Sequence, residues 1–188
     1  MKRTFSITVF ALVAILGLTA CDKAAQPAPA PSDIGGSFQL TSDSGARVDE
    51  RLLKGKWSVV YFGYTFCPDV CPATLAQLAA AQQALGERAL QVVFITVDPA
   101  RDTPAALHAY LAQTSFPKGA IGLTGSEAQI KAAAGAYHVY YARQGKGADY
   151  SVDHTSVLYL MDTEGRFVRP ITPGPPADMA AQIAAAMG

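Results

Sequence analysis

The sequence has few charged residues. They make up 16% of the 188 residues, and the 15 Lys and Arg residues are balanced by 15 Asp and Glu residues. Proteins that bind nucleic acid carry a basic face that attracts the phosphate backbone. The composition therefore argues against a nucleic-acid partner, whereas the 50% hydrophobic content is sufficient for one domain with a real core.

Metal-binding residue types are also scarce, with three Cys and three His in the whole chain. An iron–sulfur cluster usually takes four cysteines, and a structural zinc site takes four ligands in a closed tetrahedron. Neither type of site is favoured by so few ligands. The P-x-x-x-T-x-x-C pattern of peroxiredoxins is absent as well, so peroxide reduction has no support in the sequence.

The N-terminal apolar segment, Phe5 to Leu18, is too short to span a membrane comfortably, since a span takes about 20 residues. It follows the basic pair Lys2-Arg3 and ends in L-T-A-C at Cys21. This pattern resembles the signal of a bacterial lipoprotein, which is cleaved before the cysteine that is then acylated. The alternatives are an ordinary signal peptide and an uncleaved anchor.

The predicted organisation therefore has three parts. Residues 1–20 are the signal peptide, residues 21–36 are the lipidated Cys21 with a Pro/Ala-rich tether, and residues 37–188 are the folded domain. Alternating Pro and Ala favour an extended spacer. Asp22, directly after the cysteine, resembles the signal that keeps lipoproteins at the inner membrane of Gram-negative bacteria. We expect a lipid-anchored protein on the periplasmic face of that membrane.

Strands alternate with helices along the predicted domain, which favours an α/β three-layer sandwich. A hairpin is expected at 38–48 and a second one at 157–169. The remaining strands are expected at 57–62, 90–97 and 121–123, with alternating residues at 137–141 and an exposed loop at 143–149; the helices are expected at 72–85, 104–113, 126–134 and 175–186. A cysteine pair that follows a central strand and opens a helix is the thioredoxin-like arrangement.

Cys67 and Cys71 form that pair, with three residues between them. Thiols near a helix N-terminus are favoured as thiolates, which attack disulfides or bind soft metals. A structural disulfide is the alternative, but a ring this small adds little stability by constraining the unfolded chain. We therefore interpret the pair as redox-active or metal-binding.

Two thiolates favour Cu(I), zinc or an iron–sulfur cluster, and a metal needs at least one further ligand from elsewhere. His108 is expected on a helix surface, and His138 suits an outward-facing strand position. His154 precedes the strong strand 157–161, and in a thioredoxin-like sheet that loop lies next to the cysteines. Asp153 is expected to order this loop or to tune the imidazole.

Four sequence blocks carry a close resemblance to the Sco/SenC family: Y-F-G-Y-T-F-C-P-D-V-C-P at 61–72, F-I-T-V-D-P-A-R-D-T-P at 94–104, Y-H-V-Y-Y at 137–141 and V-D-H-T-S-V-L-Y-L-M-D at 152–162. The resemblance implies a membrane-tethered thioredoxin-like domain that binds copper through Cys67, Cys71 and His154. Family members help to assemble the CuA centre in subunit II of cytochrome c oxidase.

Two further features of the sequence concern the predicted metal site: one departure from the family pattern and one more matching block. Many family members have His immediately before the first cysteine, where this chain has Phe66. Asp98, with Arg101 and Asp102, matches a block near the family's site, and we expect a supporting or docking role there.

The resemblance leaves two functions open. A copper metallochaperone requires both thiolates and His154, whereas a thiol–disulfide reductase that keeps the subunit II cysteines reduced requires only Cys67, as the attacking thiol, and Cys71. The expected partners are cytochrome c oxidase subunit II, a periplasmic copper donor or thiol reductant, and the inner membrane. A monomer is expected, with copper as the cofactor.

Overall fold

A computed structural model describes residues 33–86 and 88–188. The strands are β1 (Gln39–Ser42), β2 (Arg47–Asp49), β3 (Trp57–Gly63), β4 (Leu90–Thr96), β5 (Ile121–Thr124), β6 (Tyr141–Gln144), β7 (Ser151–His154), β8 (Leu158–Met161) and β9 (Phe167–Ile171). The helices are α1 (Val70–Ala84), α2 (Pro104–Leu111), α3 (Glu127–Ala136) and α4 (Pro176–Met187).

Seven strands form one mixed sheet in the order β2-β1-β5-β4-β3-β8-β9. The pairs β3–β4 and β4–β5 are parallel and are connected through α1 and α2, whereas β8 runs antiparallel to β3. All seven residues of β4 are buried, as expected for a central parallel strand covered on both faces. The site described below lies where β3 ends.

Helices cover both faces of this sheet. Phe94 of β4 packs against Tyr110 of α2 on the face that also carries Tyr61. On the opposite face, Phe62 packs against Tyr137, the residue that follows α3. The predicted α/β three-layer sandwich is confirmed, with the N-terminal hairpin β1–β2, the C-terminal hairpin β8–β9 and the final helix α4.

Two helices begin where the capping residues in the sequence predict that they should. Thr103 caps α2 ahead of Pro104, and Ser126 and Gln129 form a complete capping box at α3. Helix α1 differs, because it begins at Val70 rather than at Pro72. Cys71 therefore lies inside the first turn of the helix, where its backbone N–H is free to donate outward.

The segment Y-H-V-Y-Y is not the strand that its alternation indicated. Helix α3 reaches Ala136, and His138 then adopts a left-handed conformation with φ of 54°. Strand β6 begins only at Tyr141 and pairs with β7 in a separate two-stranded sheet, so part of the expected loop 143–149 is strand. His154 ends β7 rather than lying in a loop.

The expected signal peptide, the lipidated Cys21 and most of the tether lie outside the described residues. The described part of the N-terminal segment lies against the domain, where Ile34 packs against the core and Gly35 donates a 2.7 Å hydrogen bond to the carbonyl of Ala136. Among the residues that the structure describes, no helix has the length and apolarity to cross a membrane.

Candidate metal centre

The fold brings together the three predicted ligands from three separate elements. Cys67 lies in the loop between β3 and α1, Cys71 is in the first turn of α1, and His154 ends β7. Their donor atoms all lie within 4.8 Å of one another, and Nε2 of His154 is 3.4 Å from Sγ of Cys71. This cluster is the set of donors that a single small metal ion requires.

The two thiols differ in exposure and in acidity. Both are free; Cys67 is partly exposed and Cys71 is buried. Hydrogen bonding from Cys71, through its side chain and through its backbone N–H at 3.3 Å, lowers the pKa of Cys67 to about 5. The neighbouring Cys67 sulfur and burial raise the pKa of Cys71. In the metal-free state the pair is thus one thiolate and one thiol.

The imidazole of His154 is oriented by a backbone group. Its Nδ1 lies 3.1 Å from the carbonyl oxygen of Thr155, which can only accept, so Nδ1 carries the proton and Nε2 presents its lone pair to the cysteines. The rings of Tyr61 and Tyr64 meet the imidazole edge to face, with centroids 6.4 and 5.9 Å away. These contacts hold the ring with Nε2 directed at the cysteines.

Asp153 bonds within the hairpin and does not contact the imidazole. Its carboxylate accepts a 2.9 Å hydrogen bond from Gln144 across the hairpin, and the contact to the imidazole comes from Thr155 instead. Asp153 alternates in direction with His154 along β7, which places its side chain on the other face of the hairpin. Its contribution is to the hairpin and not to the ring.

Gly63 makes the close approach of Cys71 possible. A Cβ atom at this position would lie 2.9 Å from Sγ of Cys71 and 2.8 Å from the ring of Phe94. Any larger residue would have to displace the buried sulfur or the ring. The sequence showed a glycine after the strand, but it gave no signal that the sulfur packs against it.

Asp102 holds the start of the cysteine loop against the end of β4. Its carboxylate accepts hydrogen bonds from the backbone N–H of Thr65 at 3.0 Å, from the Thr65 hydroxyl at 2.6 Å and from the Thr96 hydroxyl at 2.6 Å. Burial raises the pKa of this carboxyl group. Thr65 lies two residues before Cys67, so Asp102 fixes where the loop begins.

Asp98, the predicted supporting residue, organises a second set of contacts. It forms a salt bridge with Arg101 and accepts a 2.6 Å hydrogen bond from the hydroxyl of Tyr150. The Arg101 guanidinium carbon lies 3.7 Å from the centroid of the Tyr150 ring and 4.5 Å from that of Phe66. These contacts connect the cysteine loop to the segment that leads into β7.

The other two histidines lie elsewhere. His108 is exposed and lies 3.3 Å from Asp43, and His138 is exposed and lies 3.4 Å from Asp33. Neither is among the clustered donors; His108 lies on α2 as predicted, whereas His138 lies in a turn and not in the predicted strand. Two thiolates and one neutral imidazole form a soft donor set, which suits copper.

Comparison with known proteins identifies the family. The family described as SCO1/SenC matches residues 26–188. The chain is 46% identical over 147 residues to the mitochondrial Protein SCO1 homolog 1 of Arabidopsis thaliana, covering 76% of this chain and 43% of the relative. It is 47% identical over 142 residues to Protein SenC of Rhodobacter capsulatus, covering 74% of this chain and 63% of that protein. The chain thus spans about half the length of these relatives.

Solved structures agree in fold. Copper-bound ScoI of Arabidopsis thaliana is 42% identical with a TM-score of 0.77, over 82% of this chain and 98% of its own. Copper-bound ScoI of Bradyrhizobium japonicum is also 42% identical, with a TM-score of 0.73 over 81% and 99%. BsSco, described as a member of the Sco family of cytochrome c oxidase assembly proteins, shares the fold at 24% identity, with a TM-score of 0.67 over 83% and 95%.

The family match extends over the whole described domain, including the cysteine loop and the hairpin that carries His154. The matches together confirm the resemblance found in the sequence, the thioredoxin-like fold and copper as the cofactor of this group of proteins. The chain belongs to the SCO1/SenC family.

Proposed function

We propose that this protein is a membrane-tethered copper metallochaperone that helps to assemble the CuA centre of cytochrome c oxidase. It binds one copper ion through Cys67, Cys71 and His154. The observation that carries this proposal is the clustering of the three donor atoms within 4.8 Å, from residues up to 87 positions apart in the chain. The copper bound by the two ScoI relatives and the oxidase-assembly role stated for BsSco support it.

The unequal exposure of the ligands suits delivery of copper. Cys67 and His154 are both partly exposed and Cys71 is buried, but His154 is also held by the Thr155 carbonyl, so Cys67 is the ligand that is easiest to replace. A thiolate of an incoming acceptor can replace Cys67 first, while the other two ligands still hold the ion. Copper is then passed by ligand exchange and is never released as a free ion.

A second function, thiol–disulfide reduction, is favoured by the low pKa of Cys67, about 5. The Cys67 thiolate would attack a target disulfide, forming a mixed disulfide and releasing one target thiolate. Cys71, once deprotonated, would then attack the Cys67 sulfur, which forms the Cys67–Cys71 disulfide and releases the second target thiol. The target gains two electrons, which prepares subunit II cysteines for copper.

The location and partners follow from the same proposal. L-T-A-C supports lipidation of Cys21 and a tether on the periplasmic face of the inner membrane. From there the protein would receive copper, or electrons, from a periplasmic donor and act as a monomer on subunit II of the oxidase.

Copper loading of the purified, reduced chain tests the ligand set. We expect one Cu(II) per chain with intense sulfur-to-copper charge-transfer bands. His154→Ala should weaken Cu(II) binding by roughly 100-fold or more, because a ligand contributes at least as much as the outer-shell contacts that orient it. His108→Ala is the matched control, an exposed histidine whose loss should change neither quantity.

The outcomes separate the two functions. Normal Cu(II) binding by His154→Ala would show that the ligand assignment is wrong. If the wild type held no stable copper and its disulfide cycled readily, reductase activity would become the leading function. That activity should survive His154→Ala and be lost in Cys67→Ser.

A further inference from the structure

Two exposed apolar side chains flank the accessible cysteine. Among the described residues, the large hydrophobic side chains that are exposed belong to Phe66 (56%), Val70 (48%) and Tyr140 (65%). Scattered exposed hydrophobic residues are normal and need no explanation. Phe66 and Val70, however, directly precede Cys67 and Cys71 in the chain.

Phe66 is held in a fixed position although it is exposed. The guanidinium of Arg101 lies 4.5 Å from the centroid of its ring. That guanidinium is in turn held by Asp98 and by a 3.0 Å hydrogen bond to the carbonyl of Tyr150. An aromatic ring fixed before binding loses little conformational entropy when a partner covers it, which is the property of an interface anchor.

Val70 is the first residue of α1, so its backbone is part of the helix. Cys67 lies between Phe66 and Val70 in the chain, and Asp69 beside it is exposed. A macromolecule that replaces Cys67 as a copper ligand has to approach this short loop. It would therefore cover these two apolar side chains.

We propose that Phe66 and Val70 form the docking contact for the protein that accepts copper. This proposal rests on the proposed function and specifies its partner: a protein with apolar surface around its own soft metal ligands. Two side chains cover far less than the roughly 800 Å² that each partner buries in a stable complex, so the contact is transient and does not indicate a second copy of this chain. The acidic Asp69 disfavours an anionic membrane surface as the occupant.

Copper transfer to two acceptors of different size tests the proposal. The chain loaded with Cu(I) is mixed with the reduced, metal-free soluble domain of oxidase subunit II from the same organism, or with the small Cu(I) chelator bathocuproine disulfonate. The double variant Phe66→Ser/Val70→Ser should transfer copper to subunit II about tenfold more slowly. Transfer of Cu(I) to the chelator should be unchanged, because the chelator needs no docking surface. The charge-transfer spectrum of a separate, Cu(II)-loaded sample of the variant should also be unchanged.

Tyr140→Ser is the matched control. Tyr140 lies just before β6, outside the cysteine loop, and is 65% exposed. Its substitution removes an equally exposed aromatic ring and should leave transfer to subunit II unchanged. Phe66→Leu/Val70→Leu, which keeps the apolar surface, should restore most of the wild-type rate.

Each contrary result has a definite meaning. Unchanged transfer to subunit II by the Ser variant would overturn the docking proposal alone. Equal slowing with both acceptors would also overturn it, because the side chains would then act on the copper site itself. If the Ser variant lost binding to phosphatidylglycerol vesicles but transferred copper to subunit II at the wild-type rate, the docking proposal would be overturned. Phe66 and Val70 would then be assigned to a membrane contact. Failure of the wild type to transfer copper to subunit II would overturn the proposed function as well.

Discussion

At the scale of single residues, the two cysteines have the same side chain but differ in exposure and in acidity because of where they lie in the fold. They are four residues apart, yet one is partly exposed and the other is buried. The backbone N–H of Cys71 is available to the Cys67 sulfur because α1 has just begun, and the first N–H groups of a helix have no partner within it. One sulfur is thereby stabilised as a thiolate, and the other remains a thiol until a metal replaces its proton.

This asymmetry predicts how the metal-free, reduced protein reacts with iodoacetamide. The folded-state pKa of Cys67 is lowered to about 5, so its thiolate is fully formed above that pH and is lost as the pH falls through 5. Its alkylation rate should therefore be constant from about pH 6 to pH 8, whereas an ordinary thiol, with a pKa of about 8.5, still gains reactivity over this range. Mass spectrometry after timed quenching would measure the rate at Cys67.

Cys71 supplies the internal control for that experiment. Its pKa is raised and its side chain is buried, so it should remain unmodified while Cys67 reacts. A Cys67 rate that rose tenfold per pH unit up to pH 8 would contradict the thiolate assignment.

The sequence predicts the three metal ligands but not the neighbouring groups that position them. The spacing of Cys67 and Cys71 indicated a site by itself, whereas His154 was selected mainly by the family resemblance. Gly63 and the Thr155 carbonyl were not recognised, because their roles depend on distances between atoms far apart in the chain. Glycine after a strand is too common, and a backbone carbonyl has no sequence signature.

At the scale of elements, the hairpin β6–β7 is the part that the site depends on most. It carries His154 but makes no ladder hydrogen bonds to the seven-stranded sheet. The Tyr150 ring lies just before β7, and the guanidinium carbons of Arg101 and Arg143 are 3.7 and 3.4 Å from its centroid. These side chains, with Asp98, therefore determine how the hairpin lies against the cysteine loop.

The segment that leads into this hairpin is where the sequence predicts the elements least accurately. Helices α2 and α3 were predicted well because Thr103 and Ser126 are capping residues with a local mechanism. The alternation at 137–141 was misleading, since Tyr137 belongs to the end of a helix and His138 turns the chain. Tertiary contacts of Tyr137 with the sheet, and not local periodicity, decide where α3 ends.

Replacing Arg101 by Lys tests whether these contacts position His154. Lysine keeps the charge opposite Asp98 but lacks the planar group that stacks on Phe66 and Tyr150. We expect Cu(II) affinity to fall about tenfold, which corresponds to the loss of about 1.4 kcal/mol from the stacking contacts. Electron paramagnetic resonance should show a broadened Cu(II) signal, because the imidazole is no longer held in one orientation.

Arg166→Lys is the control for that substitution. Arg166 is exposed, and its ion pairs with Asp162 and Glu164 lie in the β8–β9 turn. Its replacement should change neither affinity nor the resonance signal. If Arg101→Lys lowered stability to denaturant without changing the Cu(II) signal, the role of Arg101 would be structural only.

At the scale of the whole molecule, the site lies where independently supported parts meet. The cysteine loop is fixed to the central sheet through Asp102, whereas His154 belongs to the separate hairpin. A metal ion bound by all three ligands is therefore an additional connection between the cysteine loop and the hairpin, beside the contacts that Arg101 makes with Tyr150. Copper binding should change stability locally as well as globally.

Hydrogen exchange with and without copper measures this effect. Ligand that binds only the native state stabilises it by about 4 kcal/mol when its free concentration is 1,000 times the Kd. We expect β6 and β7 to open locally in the metal-free protein, because they form a separate two-stranded sheet. Their amides should therefore gain the most protection on copper binding. Amides of β4, which is buried throughout, should exchange only through global unfolding and shift by the global amount.

The His154→Ala variant separates the ion's bridging role from its stabilising role. Copper held by the two cysteines alone, at a concentration that saturates the variant, should still protect the start of α1. It should no longer protect β6 and β7, because no ligand then connects the hairpin to the ion. Equal protection of the hairpin in the variant would mean that the cysteine loop alone transmits the effect, and the connection through His154 would have to be abandoned.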